Sequence, residues 1–143
     1  MLIKNIIVSL ILSISLTAQE NRGYIVEVGD MAPNFSLKTS EKNIFNLEEN
    51  RGKVIMLQFT ASWCSVCLKE MPHLEKEVWQ RFKDNDFLLI GVDLMEELEL
   101  VKEFIVKTKV TYPFTIDRDG SFFESFTLPK GGVTRNIVID KSG

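Results

Sequence analysis

The stretch at residues 53–72, "KVIMLQFTASWCSVCLKEMP", joins a strand, a turn and a helix, and this junction decides the fold. The run "KVIMLQF" is mostly apolar and follows Gly52, as expected of a central strand buried on both faces. Beyond the turn, apolar side chains recur at helical spacings of four, three, four and four. These are Cys67, Met71, Leu74, Val78 and Phe82. The two cysteines, Cys64 and Cys67, therefore lie where the helix begins.

The rest of the chain has the patterns of an α/β protein. Alternating residues predict a hairpin, apolar runs predict three further strands, and helical spacing predicts one further helix. The hairpin spans 35–47, the strands 86–93, 112–117 and 136–140, and the helix 96–108. This order predicts a βαβ unit followed by an antiparallel pair of strands.

Length and charge limit the classes of function. A chain of 143 residues with 45% hydrophobic content is sufficient for one compact domain. Its net charge is -3 and the signs are interspersed, so the basic surface that binds nucleic acid is missing. We expect a monomer that binds no nucleic acid.

The N-terminal residues 1–19 are typical of a secretory signal peptide. Lys4 precedes an uncharged apolar run at 6–16, and small and polar residues follow. The run is shorter than the ~20 residues of a membrane span, although an uncleaved segment would tether the protein to the membrane. We expect a periplasmic or secreted protein, in a compartment where disulfides persist.

Three kinds of chemistry compete for the cysteine pair. A structural disulfide would close a very short loop and stabilise the fold little. A closed zinc site needs four ligands, and His73 is the only histidine of the chain. In a redox pair, Cys64 at the helix N-terminus is favoured as a thiolate, and Cys67 lies one turn further in. An exposed attacking thiol and a shielded resolving thiol are what exchange through a mixed disulfide requires.

Four segments carry a resemblance to a known family. They are "VGDMAPNFSL", "GKVIMLQFTASWCSVCLKEMPHL", "YPFTIDRDG" and "NIVIDKSG", and they resemble the thioredoxin-like thiol-disulfide oxidoreductases of the bacterial envelope, the TlpA and ResA type. The resemblance implies a thioredoxin-like α/β fold over residues 28–143, with a central mixed sheet flanked by helices and an N-terminal β-hairpin. Because the family continues through another strand and helix, it also implies a C-terminally truncated domain. No cofactor or metal is implied.

The resemblance assigns roles around the cysteines. Cys64 would attack, Cys67 would resolve, and Trp63 would shield the site. Neither Ser65 nor Val66 is a His, Lys or Arg that would stabilise a thiolate further, which argues against a strong oxidant. We expect a reductase or isomerase that acts on client protein thiols or disulfides and is kept reduced by a membrane electron donor.

This chain matches the family at some of its acid and proline positions and differs from it at others. Thioredoxin has a buried aspartate where this chain has Gln58, which cannot take a proton. Glu70 matches a glutamate of ResA-type proteins and could accept the proton of Cys67, or it is a solvated helix residue. Pro72 matches the proline that kinks the first helix, and a proline inside a helix removes one backbone hydrogen bond.

A loop position also departs from the family. Aligning "NIVID" with the family's "TFLID" places Thr134 where a cis-proline normally faces the cysteines. That proline shapes the loop whose backbone pairs with the client's extended segment. We therefore expect Val133 and Thr134 to contribute to client binding, with a cis bond between them.

Two other functions remain as alternatives. Thiolates suit copper(I), so Cys64, Cys67 and His73 could form a copper-delivery module. A peroxiredoxin-like peroxidase shares the "APNFSL" opening. Its active cysteine has a threonine three positions before it and a proline seven before it, where this chain has Ala61 and Leu57.

Overall fold

The computed structural model of the chain describes residues 23–39 and 43–143. The strands are β1 (Ser36–Lys38), β2 (Ile44–Asn46), β3 (Val54–Thr60), β4 (Phe87–Leu94), β5 (Phe114–Asp117) and β6 (Arg135–Ile139). The centre is a four-stranded sheet in the order β5-β4-β3-β6, and β1 and β2 form a separate two-stranded sheet. The predicted signal peptide lies outside the described residues, as does the tip of the hairpin at 40–42.

In the described part of the chain, three helices accompany the strands, together with a short 3₁₀ helix (Glu48–Asn50). They are α1 (Ser65–His73), α2 (Leu98–Thr108) and α3 (Ser121–Glu124). A π-helical segment (Leu74–Trp79) and a last turn (Gln80–Phe82) prolong α1. Within 23–39 and 43–143, none of the helices has the length and apolar character needed to cross a membrane.

The mixed sheet and the N-terminal hairpin are confirmed, but the pairing predicted for the last two strands is wrong. Strand β5 is parallel to β4, whereas β6 is antiparallel to β3. The crossover through α2 returns the chain in the direction of β4, so β5 joins that edge as a parallel strand. Strand β6 then occupies the opposite edge, beside β3, and does not contact β5 as a sheet partner.

The helix that follows the cysteines departs from the predicted face near its end. Cys67, Met71 and Leu74 are buried, but Phe82 is 46% exposed. The π-helical segment has a wider turn, so the residues behind it no longer follow a period of 3.6. The prediction that Phe82 shares the buried face is therefore wrong.

Two hydrophobic clusters pack on the sheet. One is built around Phe59 with the phenylalanines of and after α3, Phe123 and Phe126. The other contains Cys64 and Cys67 together with core residues of α1 and α2. Because side chains alternate between the faces of a strand, the central strands contribute to both clusters. The cysteine pair thus rests on a packed layer.

One row of residues crosses all four strands next to α1. Asn136 pairs with Gln58, Gln58 with Gly91, and Gly91 with Phe114. The Phe114 ring occupies the space beside Gly91, where a Cβ atom would lie 2.5 Å from the ring. Tyr112 stacks on Phe114 with the ring centroids 5.3 Å apart. The row therefore combines two amide side chains with a packed aromatic pair.

Candidate active site

The two cysteines form a disulfide at the start of α1. Their Cα atoms are 5.2 Å apart, and Cys64 is the N-cap residue of the helix. The Cys64 sulfur accepts a hydrogen bond of 3.1 Å from the backbone N–H of Cys67. Cys64 is 6% exposed and Cys67 is fully buried. Cys64 is thus the more accessible of the two, but it is itself buried, so the prediction of an exposed attacking thiol is wrong for the disulfide form.

Apolar side chains lie beside the disulfide. Trp63 is 66% exposed, and Val66 on the first turn of α1 is also exposed. Val133 is half-buried and packs against the cluster that contains the cysteines. An indole and two valines therefore lie near the pair, on three different segments of the chain.

Glu70 lies in a cradle of hydrogen-bond donors. Thr134 Oγ1 donates to Glu70 Oε2 at 2.7 Å, and Asn136 Nδ2 donates to Glu70 Oε1 at 2.6 Å. Gln58 Nε2 makes a longer contact of 3.3 Å with Oε2. The sheet and the loop before β6 thus supply neutral donors to an acid carried by the cysteine helix. This arrangement contradicts the alternative of a purely solvated helix glutamate.

Tyr112 orients the Gln58 amide. The phenol donates to Gln58 Oε1 at 2.7 Å, which leaves the Gln58 NH₂ group to face Glu70. Burial raises the pKa of Tyr112, and the negative charges of Glu75 and Glu70 raise it further. The phenol consequently stays protonated and remains a donor. Gln58 itself is fully buried, so its orientation depends on this partner.

The loop before β6 is held by the residue that follows Thr134. The Val133-Thr134 bond is cis, as predicted. Arg135 Nε donates to the carbonyl of Gly132 at 2.9 Å, and its guanidinium also donates to Gly131. The same guanidinium lies over the Tyr24 ring, 4.6 Å from the centroid.

A second acidic group lies on the other side of the junction. Glu96 accepts hydrogen bonds from the backbone N–H and the hydroxyl of Ser62, at 2.5 and 2.6 Å. Asp93, at the end of β4, is fully buried, and neither of its carboxyl oxygens has a hydrogen-bond partner among the described residues. Burial, followed by the negative charge of Glu96, raises the pKa of Asp93 to about 8. Asp93 is thus mostly protonated near neutral pH.

The copper alternative finds no support in this geometry. No group of three or more His, Cys, Asp and Glu side chains in the described part of the chain could hold a metal ion. His73 is exposed at the end of α1, and the cysteines are bonded to each other. His73 therefore does not complete a ligand set with them.

Several residues of the site were not predicted from the sequence. The sequence pattern places Asn136 and Tyr112 in strands but indicates no role for the amide and no hydrogen-bond partner for the phenol. Asp93 carried a visible signal, because a carboxylate ended an otherwise apolar strand run. The family's proline has no hydroxyl, so the alignment gives no signal for the side chain of Thr134.

Comparison with known proteins agrees with this geometry. Residues 28–143 match the AhpC/TSA family. The thiol-disulfide oxidoreductase ResA of Bacillus cereus is 30% identical over 99% of this chain and 83% of its own length. ResA of Geobacillus kaustophilus is also 30% identical, over 82% of this chain and 66% of that protein.

Solved structures show the same fold. The solution structure of a protein disulfide isomerase candidate from Bacteroides thetaiotaomicron is 50% identical, with a TM-score of 0.81 over 85% of this chain and 77% of that one. The thioredoxin domain of a thiol-disulfide oxidoreductase from Bacteroides vulgatus is 26% identical. Its TM-score is 0.71 over 82% of this chain and 84% of that domain. The thioredoxin-like fold is thereby confirmed.

Proposed function

Since the chain belongs to the AhpC/TSA family and its relatives are thiol-disulfide oxidoreductases, we propose that it reduces or isomerises disulfides in client proteins. The observation that carries this proposal is the Cys64-Cys67 disulfide at the N-terminus of α1. The backbone N–H of Cys67 points at the Cys64 sulfur, and such a donor stabilises negative charge on that sulfur.

The reaction begins from the reduced pair. The Cys64 thiolate attacks a client disulfide, which forms a mixed disulfide and releases the first client sulfur as a thiolate that takes up a proton. The Cys67 thiol gives its proton to Glu70 and attacks the Cys64 sulfur. The second client thiolate leaves and is protonated, and the enzyme retains a Cys64-Cys67 disulfide. Two electrons have passed from the enzyme to the client.

Re-oxidised enzyme needs two electrons and two protons to return to the dithiol. We assign this step to a membrane electron donor. The segment between the cysteines, Ser65-Val66, carries no positive charge that would hold the reduced form unusually low in free energy. A reductase or isomerase is therefore favoured over a strong oxidant. We propose that the protein acts as a monomer and is periplasmic or secreted.

The client is proposed to bind beside the disulfide. Trp63 and Val66 offer exposed apolar surface, and the backbone of Val133 and Thr134 offers the hydrogen-bonding groups for an extended segment. Strand addition of this kind uses main-chain groups, so it tolerates many client sequences.

Trapping tests the proposal. Cys67→Ala in the reduced protein should accumulate a mixed disulfide between Cys64 and a disulfide-containing protein such as insulin, and Cys64→Ala should form none. The wild-type protein should reduce insulin when a dithiol is supplied. Absence of both turnover and trapping would overturn the proposal, and rapid consumption of hydrogen peroxide would favour the peroxidase alternative.

A further inference from the structure

We propose that the hydroxyl of Thr134 is a positioning group that aims the Glu70 carboxylate at Cys67 for the second step of the exchange. This inference rests on the proposed function, because it concerns the proton that Cys67 releases. Its basis is the contact of 2.7 Å between Thr134 Oγ1 and Glu70 Oε2, which joins the client-binding loop to the helix of the cysteines.

The hydrogen bonds that Glu70 already accepts limit which of its carboxylate oxygens can take up a proton. A carboxylate has about four lone-pair positions. Thr134 and Gln58 occupy those of Oε2, and Asn136 occupies one on Oε1. Among the described residues, no donor occupies the remaining position, which is on Oε1. A proton from Cys67 therefore has one free site on Glu70, and its direction depends on how the carboxylate plane is held.

The three donors do not hold that plane equally. Asn136 bonds Oε1 alone, and an amide on one oxygen lets the carboxylate rotate about its last torsion, which is intrinsically broad. Rotation is blocked by the contacts to Oε2. Of these, the Gln58 amide at 3.3 Å is the longer, whereas the Thr134 hydroxyl lies at 2.7 Å. Thr134 consequently contributes most to fixing the direction of the open site.

The side chains that donate hydrogen bonds to Glu70 within the described part of the chain are uncharged, so the effect is one of orientation. Gln58, Thr134 and Asn136 are neutral donors, and Tyr112 behind Gln58 stays protonated. Loss of one hydroxyl changes no net charge in the cradle. It removes a hydrogen bond to a charged group, and such a bond contributes more than one between neutral groups.

The test separates the two steps of the exchange. Thr134→Val keeps the branched shape and removes the hydroxyl, and Thr134→Ser keeps the hydroxyl. We measure release of a labelled peptide from a preformed mixed disulfide with Cys64, and separately the alkylation rate of Cys64. Thr134→Val should slow release by roughly ten-fold, the effect of one hydrogen bond to a charged group. Thr134→Ser should restore most of the rate, and alkylation should change in neither variant.

A double-mutant cycle with Glu70→Gln identifies the route of the effect. If Thr134 acts through Glu70, Thr134→Val should have little further effect on release in the Glu70→Gln background. Thr115→Val is the matched control, because it removes a buried hydroxyl that donates to Lys38 on the far edge of the sheet. It should release the peptide at the wild-type rate.

Three outcomes would overturn the inference. These are release at the wild-type rate by Thr134→Val, failure of Thr134→Ser to recover the rate, and an equal slowing by Thr134→Val when Glu70 is already glutamine. Thr134→Ala provides a second hydroxyl-free variant if valine disturbs folding in thermal unfolding. Failure of Cys67→Ala to trap a client, together with no insulin reduction by the wild-type protein, overturns the proposed function as well, and is recognised before any Thr134 variant is compared.

Discussion

Thr60 and Asp93 are direct partners across the parallel strands β3 and β4. Gln58 pairs with Gly91 on the same two strands, so Asp93 lies nearer to the carboxyl ends of the strands than Gln58 does. The buried acid that thioredoxin carries at the position of Gln58 is thus absent there, while a buried carboxyl lies on the neighbouring strand. This carboxyl has no hydrogen-bond partner among the described residues.

Asp93 should make the stability of the protein decrease with rising pH. Burial raises its pKa to about 8 in the folded state, whereas an unfolded aspartate has a pKa of about 3.9. Between these values the folded chain holds a proton that the unfolded chain has lost, so the free energy of unfolding falls by at most about 1.4 kcal/mol per pH unit. Asp93→Asn should flatten this fall in urea unfolding between about pH 4 and about pH 8.

A matched control for this variant is Asp140→Asn. Hydrogen bonds from Ser142 lower the pKa of Asp140, so its contribution to stability is present at high pH and is lost as the pH falls through its folded pKa. Asp140→Asn should therefore leave the fall toward alkaline pH in place. An unaltered pH dependence in Asp93→Asn would show that the side chain ionises as freely as in water.

Cys64 should be the first thiol to react in the reduced protein. It is the more accessible cysteine and its sulfur accepts the Cys67 N–H. Alkylation followed by peptide mapping should find label on Cys64 first, already at pH values where an ordinary thiol is mostly protonated. Equal labelling of both cysteines, or faster labelling of Cys67, would contradict the assigned roles.

Glu70→Gln should slow release of the client from the mixed disulfide. Glutamine keeps the size of the side chain but cannot take the Cys67 proton. Loss of a proton acceptor lowers the rate by about 10²–10⁴ when proton transfer alone limits release. The rate falls by about ten-fold when proton transfer limits release only in part. Glu99→Gln on α2 is the control, since its side chain is largely exposed. Release by Glu70→Gln at the wild-type rate across pH would leave Glu70 with a structural role.

Tyr112→Phe should destabilise the protein although the ring remains. The change removes the donor to Gln58 Oε1 and leaves a buried acceptor without its partner, at a cost of about 1–3 kcal/mol. Urea unfolding measures this directly. Tyr24→Phe is a suitable comparison, because the ring beneath Arg135 is retained. Equal stability of Tyr112→Phe and wild type would mean that water replaces the phenol at Gln58.

The sequence was most informative where chemistry and periodicity coincide. The apolar run before the cysteines and the helical spacing behind them predicted β3 and α1, and the family alignment predicted the cis bond at Val133-Thr134. The cradle around Glu70 was less accessible, because its donors come from positions 58, 134 and 136. Contacts between such distant positions depend on sheet register, which apolar patterning alone does not define for a strand buried on both faces.

Two errors in the fold have physical causes of the same kind. The edge at which a strand joins a sheet is determined by the crossover before it. Composition alone therefore does not distinguish an antiparallel pairing of β5 with β6 from the observed placement of these strands on opposite edges of the sheet. A π-helical segment depends on backbone hydrogen bonds and leaves no clear pattern in side chains. A constant helical period therefore predicts a buried Phe82, whereas the backbone does not keep that period.

The close approach of Phe114 to Gly91 links two positions that contain no redox chemistry. The ring fills the space of a missing side chain, Tyr112 stacks on that ring, and the Tyr112 phenol orients the amide that faces Glu70. A bulkier residue at 91 would displace the ring and, through it, the acid. In evolution the two sites should therefore co-vary, with glycine at 91 retained wherever an aromatic ring occupies 114 and larger residues appearing only beside a smaller partner.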